Sequence, residues 1–207
     1  MQIDGSRVSV RPRSAGFATL LGGQPPAQRK EQLWVNSEKI LQRFGSYRVK
    51  VLHQDEVSRV ANLCSQHDGR DICRTLAVTR FAAPTPEALA SADQAIRGGM
   101  SIGSTLAEAS CAMSREVLAE ASAPCGSGFA HHAGGTVAKG EALYIRLYRL
   151  DAGLAADSLT PYATIAEAHH PEHLPPAANL LPLTGIDLAQ WGGDAELAMS
   201  ALLEALN

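Results

Sequence analysis

The segment Tyr162-Ala-Thr-Ile-Ala-Glu167-Ala-His169-His170-Pro171 reads as a β-strand that carries a carboxylate and imidazoles and stops at a proline. Side chains alternate across a strand, so Thr164, Ala166, Ala168 and His170 share one face, and Ala163, Ile165, Glu167 and His169 share the other. Glu167 and His169 therefore sit among small and apolar neighbours. A carboxylate placed there either finds a partner or titrates abnormally, which makes it a site candidate. An edge strand with a solvated Glu and His is the structural alternative.

The segments before this strand follow the same period. Residues 47–53, 57–64 and 71–81 each alternate apolar with polar or small residues, as in "DICRTLAVTRF". His67-Asp68-Gly69-Arg70 supplies hairpin-turn chemistry between the second and third. Such short connections predict an antiparallel meander. Strands resume at 142–150, "ALYIRLYRL", and at 162–170. Asn36 reads as the N-cap of a short helix that Gly45 ends. Thr85-Pro86-Glu87 opens a helix over 86–97 closed by Gly98-Gly99, and a second helix is expected over 101–121. Residues 124–140 read as a long loop, and a capped helix runs from Asp194 to the C-terminus. Helices inserted between blocks of antiparallel strands define an α+β fold with a single antiparallel sheet.

Three units follow: a poorly structured N-terminal extension over 1–31, a domain over 32–173, and a C-terminal extension with a terminal helix over 174–207. Hydrophobic content of 45%, charged content of 19% and a net charge of −3 fit a soluble globular chain. That charge and an aromatic content of 5% give no reason to expect nucleic acid or an anionic membrane as partner. No apolar run reaches transmembrane length, and the expected location is cytoplasmic. Cys64, Cys73, Cys111 and Cys125 form no C-x-x-C pair and read as small hydrophobes rather than metal ligands.

Chemistry is concentrated in four places. Gly98-Gly99-Met100-Ser101-Ile102-Gly103 opens a helix, where free amides favour an anion, although two glycines at such a joint more often only turn the chain. Arg59 and Arg74 lie on consecutive strands in apolar surroundings, and each needs an acid or a ligand. Glu167 is expected to feel burial, which raises its pKa, and a nearby Arg59 or imidazolium, which lowers it. His169-His170-Pro-Glu-His173 invites a metal, but a strand puts His169 and His170 on opposite faces, and H-E-x-x-H is absent. A structural or substrate-contacting role is favoured, and no metal or cofactor is expected.

With Arg59, Arg74-Thr75, Ser101-Ile102-Gly103 and Glu167 in this order, the chain resembles the chorismate lyase family, which is related in fold to effector-binding domains of some bacterial transcription regulators. The likeness runs from about Arg43-Phe44 to Glu167 and includes the V-x-V strand and the Asp-Gly hairpin turn. The resemblance implies a chorismate lyase-like fold and a small-molecule carboxylate substrate. Chorismate or a related cyclic dicarboxylate would lose pyruvate to give a hydroxybenzoate-type product. Arg59 and Arg74 would contact the substrate, as would Ser101, Ile102 and Gly103 through their backbone. Glu167, with His169 or His170, would meet the ring hydroxyl or take the proton. The chain departs from the family at Ser101, where the family has proline, and at His169-His170, where the family has apolar residues. A non-catalytic domain that binds a small aromatic or acidic ligand is the alternative.

Overall fold

The computed structural model describes residues 36–207 apart from 186, 188 and 190, so the extension expected over 1–31 lies outside the described residues. Helix α1 (Asn36–Phe44) is followed by strands β1 (Arg48–Gln54), β2 (Ser58–His67) and β3 (Arg70–Phe81). A 3-10 turn at Glu87–Leu89 leads into α2 (Ala90–Arg97) and α3 (Ile102–Glu108). Then come β4 (Ala112–Pro124), α4 (Ser127–His132), β5 (Ala142–Gly153), β6 (Thr160–His169) and α5 (Gly193–Leu206). The strands form one six-stranded sheet in the order β1-β2-β3-β6-β5-β4, with every neighbouring pair antiparallel. This is the α+β architecture that the alternation predicts. Among the described residues, no helix is long and apolar enough to cross a membrane.

The β2–β3 hairpin closes as its Asp-Gly pair requires. His67 pairs with Arg70, and the two turn residues both take positive φ, 49° at Asp68 and 72° at Gly69. The second helix is where the sequence reading fails. Instead of running over 101–121, α3 ends at Glu108 and the chain becomes strand β4 from Ala112. Ser110 adopts φ of 56°, Cys111 N donates to the Leu106 carbonyl and Ser110 N to that of Ala107, the bond pair of a Schellman stop. A serine rather than a glycine holds the left-handed position, so the sequence carries no stop signal there. Residues Met113, Val117 and Leu118 have helical spacing, but the ladder to β5 from Ala112↔Gly153 to Pro124↔Ala142 overrides it.

Smaller differences have similar causes. The stretch 124–140 contains α4, which is held against the C-terminus. A Cβ at Gly126 would stand 2.2 Å from the Leu206 carbonyl oxygen, so only glycine allows that approach. Thr85 does not cap a helix; Pro86 precedes the 3-10 turn without a side-chain cap. At α5 the N-cap is Gly192, and Asp194 instead faces Arg80 at 3.4 Å.

The two faces of the sheet are filled differently. On one face α5 buries Ala195, Ala198, Met199, Leu202 and Leu206, a stripe at helical spacing, against Leu76, Val78, Leu147 and Ala166. On the other, the 3-10 turn, α2 and α3 bring Leu89, Ile96, Ile102 and Leu106 against Phe81, Tyr148 and Ile165. Asp93 of α2 accepts hydrogen bonds from Tyr162 at 2.9 Å and Arg97 at 2.6 Å, which pins that helix to the sheet. Leu202→Ala should therefore lower stability by about 2–5 kcal/mol in urea unfolding. Leu197→Ala, on the exposed side of the same helix, should change it by less than about 0.5 kcal/mol.

Candidate functional site

Register builds the site. Ala61 of β2 pairs with Ala77 of β3, Ala77 with Glu167 of β6, and Glu167 with Arg146 of β5, so these four side chains form one row on the face beneath α1–α3. Two alanines in the middle of a row leave room that larger aliphatics would fill. The next row on that face runs Arg59, Thr79, Ile165, Tyr148. Above these rows lies a cavity of about 60 Å³, roofed by the start of α1 and by Ser101, Ile102 and Gly103 at the start of α3.

Glu167 is 4% exposed and fully engaged. Its Oε1 accepts from Asn36 Nδ2 at 2.8 Å and from the Tyr148 hydroxyl at 3.1 Å, and its Oε2 accepts from Arg146 at 2.7 Å. His169 Nε2 lies 3.4 Å from Oε2 without hydrogen-bond geometry. Burial pushes the Glu167 carboxyl up, but the Arg146 guanidinium, the adjacent His169 and the charge of Arg115 outweigh it and hold the group well below its usual range. Of the two partners that the sequence offers, Arg59 takes no part, the His169 ring stands beside the carboxylate, and the group that lowers Glu167 most is Arg146.

Arg59 spends its donors elsewhere. One terminal nitrogen donates to the carbonyls of Ile96 at 3.0 Å and Met100 at 2.9 Å, the end of α2 and the turn beyond it. Its Nε has no partner, no carboxylate stands within ion-pair distance among the described residues, and it is 4% exposed. Burial lowers its pKa, opposed by the neighbouring tyrosines Tyr162 and Tyr47. Tyr47 also lines the cavity with an unpartnered hydroxyl. This end of the cavity presents donors and a positive charge with no anion to meet them.

The remaining sequence-derived candidates separate into two groups. Ser101, Ile102 and Gly103 line the cavity together with Arg59 and Glu167. His169 stands beside Glu167 but is buried, bonded through Nδ1 to Thr75 Oγ1 at 3.0 Å, and stacked on Tyr144. Burial lowers its pKa, which favours the neutral ring. Arg74 and His170 lie outside the cavity lining. Arg74 donates to Ser65 at 2.8 Å and Glu172 at 2.7 Å and lies 3.8 Å over the Phe44 ring. His170 accepts the Glu172 backbone N–H at Nδ1, contacts Thr136 at 2.9 Å through Nε2, and is pushed down to about 4 by burial and by Arg74. No cluster of three or more His, Cys, Asp or Glu able to hold a metal occurs among the described residues. Cys64, Cys73 and Cys125 are buried, and burial raises each thiol.

Sequence reading misses Asn36, Arg115, Arg146 and Tyr148. Arg146 and Tyr148 alternate with the apolar Ile145 and Leu147, and that signal places two polar side chains on one face of β5. Arg115 is hidden because its segment reads as helix.

No family model matches the chain, and no curated protein matches it. Among solved structures, the chain is similar to the C-terminal domain of Yurk from Bacillus subtilis, at 16% identity and a TM-score of 0.29, over 67% of this chain and 84% of that one. At that score the likeness carries no argument about this chain, and the site rests on its own geometry.

The depressed pKa of Glu167 has a consequence for stability. Its ionised form stabilises the fold above the ordinary carboxylate value, about 4.5, and that contribution is lost as pH falls toward the lower folded value. Glu167→Gln leaves Arg146 a buried cation without its anion and should cost about 3–5 kcal/mol at neutral pH. In urea melts the gap between variant and wild type should narrow as pH falls below 4.5. A constant gap would show that ionisation is not its source.

Proposed function

We propose that this protein is a small cytoplasmic lyase acting on chorismate or a related cyclic dicarboxylate. The observation that carries the reading is Arg59: a buried guanidinium, without an acid partner among the described residues, on the wall of a cavity lined also by Tyr47, Ser101 and Ile102. A buried cation is costly unless an anion joins it, and a guanidinium fork matches a carboxylate. In this reading the ring carboxylate meets Arg59, and the ring hydroxyl points at Glu167.

The reaction asks little of a base. The hydrogen on the ring carbon that bears the hydroxyl leaves, and the bond from the neighbouring carbon to the enolpyruvyl oxygen breaks. The proton passes to the departing enolpyruvate to give pyruvate, and the ring becomes aromatic. Aromatisation drives the step, so orientation is the main contribution of the protein. Glu167, held ionised by Arg146 and already accepting three hydrogen bonds, suits an orienting acceptor better than a proton carrier.

One observation favours a second reading, a non-catalytic site for a small aromatic or acidic ligand. Among the described residues, Glu167 is the one carboxylate that lines the cavity, and it is committed to Arg146. Purified protein mixed with chorismate distinguishes the two. Release of pyruvate with appearance of a hydroxybenzoate is the expected result; binding of hydroxybenzoate without turnover supports the second reading. In either case Arg59→Ala should weaken ligand binding by about 1.5–3 kcal/mol. If the variant instead loses its fold without ligand, Arg59 serves mainly to hold the end of α2.

A further inference from the structure

The cavity holds more positive charge than its carboxylate requires. Arg146 is matched by Glu167. Arg115, on edge strand β4, is not matched: no carboxylate pairs with it among the described residues, and its Nε is buried without a partner. Its guanidinium lies 4.5 Å from the centroid of the Tyr148 ring, and the hydroxyl of that ring donates to Glu167. Stacking on a tyrosine that is itself fixed limits where the charge can stand. Lys39 of α1 adds to the excess; burial and then the charges of Arg146 and Arg115 lower its pKa, so the three cations share one neighbourhood.

Position in the sheet separates Arg115 from Arg59. Strand β3, then β6, then β5 lie between β2 and β4. Four strand spacings amount to about 19 Å. Both side chains nevertheless line the same cavity, so they enter it from opposite sides. Two guanidiniums brought in from opposite walls match a ring acid that carries a second acidic group on a side chain.

We propose that Arg115 is a specificity residue that receives a second, side-chain carboxylate of the ligand while Arg59 receives the carboxylate on the ring. This rests on the reading of the cavity as a carboxylate site. The ligand class it selects is a ring acid with an ether-linked or similarly extended second acid, and the corresponding monoacid is discriminated against.

Two probes that differ by one carboxylate test this: 3-(carboxymethoxy)benzoate and 3-methoxybenzoate, titrated calorimetrically into the full-length protein. Wild type should bind the diacid at least about tenfold more tightly, as expected for a hydrogen bond to a charged group. Arg115→Gln should remove that preference and leave the affinity for 3-methoxybenzoate unchanged, and Arg115→Lys should restore part of it. Because the preference is electrostatic, it should also shrink for wild type as salt is raised; that measurement stands if Arg115→Gln fails to fold. Equal binding of both probes by wild type, or a preference that survives Arg115→Gln, overturns the role of Arg115 and leaves the carboxylate site intact. Binding of neither probe overturns both.

Discussion

The carboxylate of Glu167 is the point on which this side of the molecule depends. Removing an ionised group from water is expensive, and the protein meets that cost with three donors from two elements: Asn36 of α1, and Arg146 and Tyr148 of β5. The same contacts fix how α1 sits over the sheet and reinforce the β5–β6 register, in which Glu167 directly opposes Arg146. Asn36, which the sequence offers as a helix cap, has its side-chain amide drawn into the site instead. A single buried anion thereby anchors the start of the described chain to strands more than a hundred residues later.

That pairing has an electrostatic remainder. Arg146 neutralises Glu167, and the cavity is left with Arg59 and Arg115 and with Lys39 nearby. Arg59, a buried cation without an acid partner among the described residues, is unfavourable in itself and favourable to an acidic guest, so the site exchanges stability for affinity. Arg59 illustrates the compromise. Its bonds to the Ile96 and Met100 carbonyls hold the guanidinium in place without cancelling its charge.

The opposite face of the sheet explains why such a site is tolerated. Beneath α5 and α4 the sheet packs aliphatic side chains and alanines with little polar content, and burial of this layer stabilises the fold independently of the cavity. Strand alternation keeps the two roles apart. Leu76, Val78, Ala166 and Leu147 point to α5, while their immediate neighbours Ala77, Thr79, Glu167 and Tyr148 line the cavity. The helix α5, at the end of what reads as a C-terminal extension, is built into this core through Met199, Leu202 and Leu206.

The sequence by itself determined β1, β2, β3, β5 and β6 and the Asp68-Gly69 hairpin, because period-two alternation and turn chemistry are local properties of the backbone. It also placed Glu167 and His169 on one face and isolated Arg59 among apolar residues. It did not reveal β4, whose residues have helical spacing and whose preceding helix ends on Ser110 rather than a glycine; only the ladder to β5 makes that stretch a strand. Nor did it identify the partner of Glu167. Arg59 and Arg146 are equally plausible in one dimension, and the choice falls to Arg146 because β5 adjoins β6 while β3 separates β2 from it. Strand order is set by non-local pairing across the whole sheet, so which charges cancel, and which remain free to meet a ligand, was decided only by the tertiary structure.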